Sequence, residues 1–291
     1  MKDRILHEKV EYRLIRDMVE AIGDLYGDKV AYRFRPNPHD KESTTKSYLE
    51  LRSDVRALAT ELLARGYKGK HIVVLGKHSY PWIVTYYATM AMGAVLVPLD
   101  KDWGALELSD TVKTADTSVI ICDKDQKAKV AEICQNTGVE TVYYLDGEEG
   151  ETLADLIAAG AQKFEENSAP YYENEIDPDA MSLLVFTSGT TGKGKGVMLS
   201  QHNFMSDLAD VIPYIDFSVK CLNVLPPHHT YGSSVSIFGQ ACIGCEVYIS
   251  SGIKYILKEL QEHKPGHLVA VPLYVETFYR RITAGIKATS T

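Results

Sequence analysis

Apolar and polar residues alternate along the chain in blocks of two periods. Tyr48, Leu51, Val55, Leu58 and Leu62 recur at spacings of three and four, which marks one face of a helix over 47–65. Ser47 and Glu50 fit a capping box at its start, and Gly66 fits its stop. The run HIVVLG (71–76) predicts a short buried strand. Ser79 predicts the cap of a second helix that Gly93 ends, and GAVLVPLD (93–100) predicts the next strand. The rhythm continues through a helix near 105–115, SVIICD (118–123), a helix near 126–136, VETVYYLD (139–146) and a helix near 152–163. MSLLVF (181–186) and GVMLS (196–200) read as strands. A helix over 201–212 follows, then CLNVLP, a helix near 233–243, CEVYIS, a helix near 253–263, HLVAVP and a helix near 273–283.

These strands are apolar on both faces, as parallel strands between helix layers are. The pattern predicts an α/β fold with right-handed crossovers. Residues 164–180 break it, being acidic, aperiodic and interrupted by two prolines. They predict an exposed connection between two α/β halves, with a loop inside a single sheet as the alternative.

Composition narrows the class. With 291 residues, 45% of them apolar, there is room for one large or two ordinary domains, and disorder is excluded as the main state. The net charge is −8, and no Lys/Arg cluster reaches the density that a duplex backbone requires, so nucleic acid is not an expected partner. A small anionic ligand needs only a local positive site. The stretches His78–Leu99 and Cys221–Cys245 carry no formal charge and are long enough to span a bilayer. Prolines and glycines interrupt both, so each reads as a buried helix and strand, and no transmembrane segment is expected. Five cysteines without a secretory run predict reduced thiols and a cytoplasmic protein. Cys242 and Cys245 form a single CxxC. A structural zinc would want a second pair, and a redox pair should open a helix, so buried thiols and no metal site are expected.

The segment following MSLLVF carries the chemistry. Four hydroxyl residues (Thr187, Ser188, Thr190, Thr191), four glycines (Gly189, Gly192, Gly194, Gly196) and two lysines (Lys193, Lys195) fall within ten positions. Glycines let backbone N–H groups converge on an anion, hydroxyls add donors and lysines add charge. A flexible surface hairpin has a similar composition, but the position directly after a buried strand favours phosphate binding. A Walker A loop is a rival. Counting from Gly189, Gly194 and Lys195 fall where it needs them, but Gly196 replaces its Ser or Thr, and β-prone GVMLS replaces its helix.

The string LVFTSGTTGKGKGVMLSQHN resembles the phosphate-loop signature of the adenylate-forming enzymes, which include acyl- and aryl-CoA synthetases, peptide-synthetase adenylation domains and luciferases. Gly194 stands where that signature usually has proline. GAVLVPLD resembles the family's GA-x-x-VP-x-D/N strand, and VLPPHHTYGSS (224–234) its LP-x-x-H-x-x-G motif. The resemblance runs from about residue 10 to about residue 283 and is strongest to long-chain fatty acyl-CoA synthetases. It implies two stacked βα sheets with helices between and outside, forming an N-terminal adenylation domain. One α/β subdomain would occupy 67–200, with the phosphate loop, and a second 201–291, joined by 11–66.

The same resemblance implies a reaction. A carboxylic acid, and a fatty acid by the long-chain likeness, is activated by MgATP to an acyl-adenylate, which coenzyme A then converts to a thioester. Ser188, Gly189, Thr190, Thr191, Gly192 and Lys195 would hold the β- and γ-phosphates, with Thr187 and Lys193 nearby. Lys195 would also act in catalysis. His229 would line the acyl site near the α-phosphate as a catalytic and substrate-binding residue, with Tyr231 and Gly232 beside it and His228 structural. No acid lies within Pro226–Ser234, which favours a plain carboxylic acid over an amino acid. The family's later motifs, including YG-x-TE, do not occur, so the chain is expected to be the N-terminal portion, to need the C-terminal part and to be nearly inactive alone. A P-loop-like phosphotransferase and a non-catalytic nucleotide-binding module are the alternatives.

Overall fold

A computed structural model describes residues 8, 9, 11–187, 195–215 and 218–289. The chain opens with α1 (Ile15–Tyr26), a hairpin of β1 (Val30–Phe34) and β2 (Thr44–Ser47), and α2 (Tyr48–Ala64). An alternating run follows: β3 (His71–Leu75), α3 (Tyr80–Ala91), β4 (Val95–Leu99), α4 (Ala105–Thr114), β5 (Thr117–Cys122), α5 (Lys127–Thr137) and β6 (Val142–Tyr144). Next come α6 (Leu153–Glu166), α7 (Ala169–Tyr172), β7 (Met181–Thr187), β8 (Lys195–Ser200) and α8 (Gln201–Val211). The last part holds β9 (Lys220–Asn223), α9 (Thr230–Ser233), α10 (Gln240–Cys242), β10 (Glu246–Ile249), α11 (Ile256–His263), β11 (His267–Val269) and α12 (Pro272–Thr289).

The predicted caps form. Ser47 Oγ accepts the Glu50 N–H at 3.1 Å, and Glu50 Oε2 accepts the Ser47 N–H at 2.8 Å. Gly66 and Gly93, which follow the ends of α2 and α3, have φ of 80° and 79°, where a Cβ would strain the backbone.

The strands form two mixed sheets, ordered β6-β5-β3-β4-β7-β8 and β11-β9-β10-β1-β2. Each is parallel except for an antiparallel edge strand, β8 in one and β2 in the other. Strand residues alternate between faces. Ile72 and Val74 join the core shared by α1, α2, α3, α6 and α8, whereas Val73 and Leu75 pack under α4 and α5. In the second sheet Cys221, Val247 and Ile249 face the shared core, and Leu222, Val224 and Tyr248 pack under α11 and α12. The molecule is therefore layered: helices, sheet, a central helix layer, sheet, helices. In α3, the most enclosed helix, every residue but Pro81 is buried.

The fold is that of the N-terminal domain of adenylate-forming enzymes. Four elements were not expected from the sequence: α1, β1, β2 and α7, which lies in the stretch read as an exposed connection and buries Tyr171. The charge-free stretches are α3 with β4, and β9 with the helical segment that precedes β10. Among the described residues no helix is long and apolar enough to cross a membrane.

Candidate functional site

Parallel strands all point their carboxyl ends the same way, and a cleft of about 520 Å³ opens where those ends of the two sheets meet. The first sheet contributes the turns after β3, β4 and β5, with His78, Asp100 and Asp123; the second contributes the turns after β9 and β10, with Asn223 and His229. Phe34, Leu225, Ile249 and Ile256 give it apolar walls.

His229 sits on a tight turn. Its N–H donates to the Pro226 carbonyl at 3.3 Å, and its own carbonyl accepts the Ser233 N–H at 3.0 Å, which starts α9. Gly232 is buried, and a Cβ there would run into the Pro226 carbonyl oxygen. The His228 and His229 rings lie 4.4 Å apart between centroids. His228 Nε2 is 3.6 Å from Asp100 Oδ2, so the turn of the second sheet touches the end of β4 in the first. Burial pushes His228 down, and Asp100 only partly opposes it. Both of these histidines line the cleft, whereas Tyr231 is 52% exposed and is not one of the lining residues.

Three cleft residues gave no signal in the sequence. Burial pushes His78 down to about 4. Its Nε2 lies 3.4 Å from Asn223 Nδ2, and Asn223 also donates to the Ser236 carbonyl at 3.2 Å. Burial raises Asp123 to about 6, although its Oδ2 accepts the Lys77 N–H at 2.7 Å. These positions are 145 residues apart for His78 and Asn223, and only the meeting of the sheets joins them.

The glycine- and threonine-rich segment is mounted on the β7–β8 hairpin. Thr187, the last residue of β7, pairs with Lys195, the first of β8, and both are exposed. Ser188, Gly189, Thr190, Thr191, Gly192, Lys193 and Gly194 lie outside the described residues. Leu96 of β4 pairs with Leu183 of β7 in parallel, and four residues further on lie Asp100 and Thr187. The segment thus leaves from the same rim of the sheet on which Asp100 enters the cleft. Lys195 and Gly196 continue as a strand, so the helix that a Walker A loop requires is absent at this point.

Comparison with known proteins agrees with this geometry. A family model described as AMP-binding enzyme matches residues 19–289. The chain is 27% identical to a chloroplastic long-chain-fatty-acid–acyl-carrier-protein ligase of Arabidopsis thaliana, over 96% of this chain and 41% of that protein. It is 26% identical to long-chain-fatty-acid–CoA ligase 5 of Rattus norvegicus, over 81% of this chain and 38% of that protein. The chain thus spans about two fifths of the length of these relatives. Two crystal structures share the fold. One is a long-chain-fatty-acid-CoA ligase from Archaeoglobus fulgidus (TM-score 0.77, 20% identity, 91% of this chain and 52% of that one). The other is the adenylation domain of a carboxylate reductase from Mycobacterium chelonae (TM-score 0.77, 22% identity, 94% and 48%). The family match runs over almost the whole chain, which therefore belongs to the AMP-binding enzymes.

Proposed function

We propose that this chain holds the nucleotide and the acid of an AMP-forming acyl ligase. A carboxylate oxygen attacks the α-phosphorus of ATP, the bond to the bridging oxygen of pyrophosphate breaks, and acyl-adenylate forms. A thiol, that of coenzyme A, then attacks the acyl carbon, and AMP leaves with the electron pair of its phosphate oxygen. The observation that carries this reading is the hairpin: a segment rich in hydroxyls, glycines and lysine follows β7, which runs parallel to β4, the strand whose end carries Asp100 into the cleft. Thr187 and Lys195 themselves do not line it. Such donors neutralise the charge that collects on departing pyrophosphate. In this reading Ser188, Gly189, Thr190, Thr191, Gly192 and Lys195 serve the β- and γ-phosphates, with Thr187 and Lys193 at the margins. His229 faces the reacting carboxylate, and the apolar walls of the cleft receive a hydrocarbon chain, which favours a fatty acid.

Magnesium would arrive with the triphosphate. Asp100 and Asp102, the acids nearest the rim, already contact His228 and Lys101, so neither is offered as a dedicated ligand. Nucleotide titration of the 291-residue chain and of Lys195→Ala tests the assignment. A charge-assisted contact of about 1.5–3 kcal/mol predicts a ten- to hundredfold loss of ATP and pyrophosphate affinity, with the circular dichroism unchanged. Equal affinity in the two proteins would remove Lys195 from the site. In the whole enzyme, release of ADP instead of AMP would restore the phosphotransferase reading.

A further inference from the structure

The CxxC of Cys242 and Cys245 does not act as a pair. Cys242 Sγ contacts Met18 Sδ at 3.6 Å, whereas Cys245 belongs to a different group. One sulfur each from Cys221 and Cys245 and one imidazole nitrogen of His267 lie within 4.8 Å of one another. The sheet register explains this. Cys221 of β9 pairs with His267 of β11 on one side and with Val247 of β10 on the other. Cys245 precedes Val247 by two residues and so shares its face. Three neighbouring strands therefore present S, S and N side by side, on the face turned toward the central helices.

From this geometry we infer that Cys221, Cys245 and His267 form a binding site for a soft divalent metal, zinc in the first instance. Four features support it. Two thiolates and a neutral imidazole balance a dication, so the loaded site carries no net charge into its buried surroundings. His267 Nε2 is 3.0 Å from Gln240 Oε1, the kind of outer contact that orients a metal-bound imidazole and leaves Nδ1 as the ligand. Gln240 is itself fully buried, and its Nε2 has no hydrogen-bond partner. Finally, the site lies at the amino-terminal edge of the sheet, directly after exposed Val219 and Lys220.

Loading breaks two S–H bonds and makes two Zn–S bonds, and both protons pass to solvent. Nδ1, which now accepts the Ser218 N–H at 3.0 Å, transfers its lone pair to the metal. The Ser218 carbonyl, now 3.3 Å from Cys245 Sγ, or a water fills the fourth position. At a Zn–S length of about 2.3 Å the sulfurs of a tetrahedral site stand about 3.8 Å apart, which rotation about χ1 supplies.

The test is metal titration of the reduced 291-residue chain with zinc alone and with cobalt alone. One ion per chain and a thiolate-to-cobalt absorption band are expected. Cys221→Ser and His267→Ala should lower affinity by more than about a hundredfold, and Cys242→Ser should leave it unchanged. Where a variant fails to fold, the cobalt spectrum of the unaltered chain decides: its charge-transfer band should have the intensity of two thiolates and vanish when zinc is added. Sub-stoichiometric binding, equal affinity in all variants, or a Cys221–Cys245 disulfide formed in preference to zinc loading would each overturn the inference.

Discussion

A methyl group added at Gly232 would collide with the carbonyl oxygen of Pro226, which also accepts the N–H of His229. The turn and the histidine are therefore fixed by one close backbone approach. Gly232→Ala should cost about 1–3 kcal/mol in urea unfolding and weaken acid binding together with stability. The cleft's titratable groups make a second prediction. His78 and His228 are both pushed down by burial, so the unfolded chain binds protons that the folded one refuses. Their contribution is complete above about pH 6.5 and is lost as pH falls toward about 4. Asp123, raised to about 6, works the other way: the folded chain binds its proton first, so this residue favours folding below about pH 6. His78→Gln should flatten the loss of urea midpoint between pH 7 and pH 5, and Asp123→Asn should steepen it. The His229 turn and Gly232 were legible in the sequence because they share a local string, and so were the two strands that flank the glycine-rich segment. His78, Asn223 and Asp123 were not, since their proximity comes from strands that meet only in space.

Among the elements, α2 and α6 are held unusually close. Gly160 of α6 lies against the Ala57 carbonyl of α2 with no room for a side chain. Beside that crossing Glu61, 2% exposed, accepts from Arg65 at 2.7 Å and from Lys163 of α6. Burial alone would raise the Glu61 carboxyl, but Lys163 and Arg65 outweigh it and hold it below the ordinary value. Glu61→Ala takes the carboxylate away from half-exposed Lys163, whereas Arg65 keeps its pair with Glu151. Thermal or urea unfolding should show a loss of about 1–3 kcal/mol, below that of a fully buried pair because both cations reach water. Glu61→Gln, which keeps the hydrogen-bonding shape, should lose less. The ends of α2 were readable because its caps are local, and α3 because Ser79 and Gly93 bracket it. The strands β1 and β2 escaped detection: VAYRF and TTKS carry polar residues and lie near a sheet edge, and β1 gains its main apolar partner from β10. Likewise GVMLS was readable as a strand, but its antiparallel direction depends on the β7–β8 pairing.

For the molecule as a whole, the α/β class followed from strand–helix alternation and the two stacked sheets from the resemblance to adenylate-forming enzymes, whereas the membership of each sheet followed from neither. The cleft is shared by both sheets, so nucleotide and acid are proposed to bind between them. The chain spans 41% of the Arabidopsis relative, and this part alone should support little acid-dependent ATP–pyrophosphate exchange. Exchange by the purified 291-residue chain at the rate of a complete ligase would show instead that the chemistry is self-contained. The second sheet also carries a consequence for synthesis. Tyr32 of β1 pairs with Val247 of β10, 215 positions later. At about 5–20 residues per second a ribosome needs roughly 10–40 s to deliver that partner. Throughout this interval one side of β1 has no neighbour, so newborn chains of this protein are vulnerable to mispairing with one another, and their yield should depend on how well chaperones shield that early hairpin.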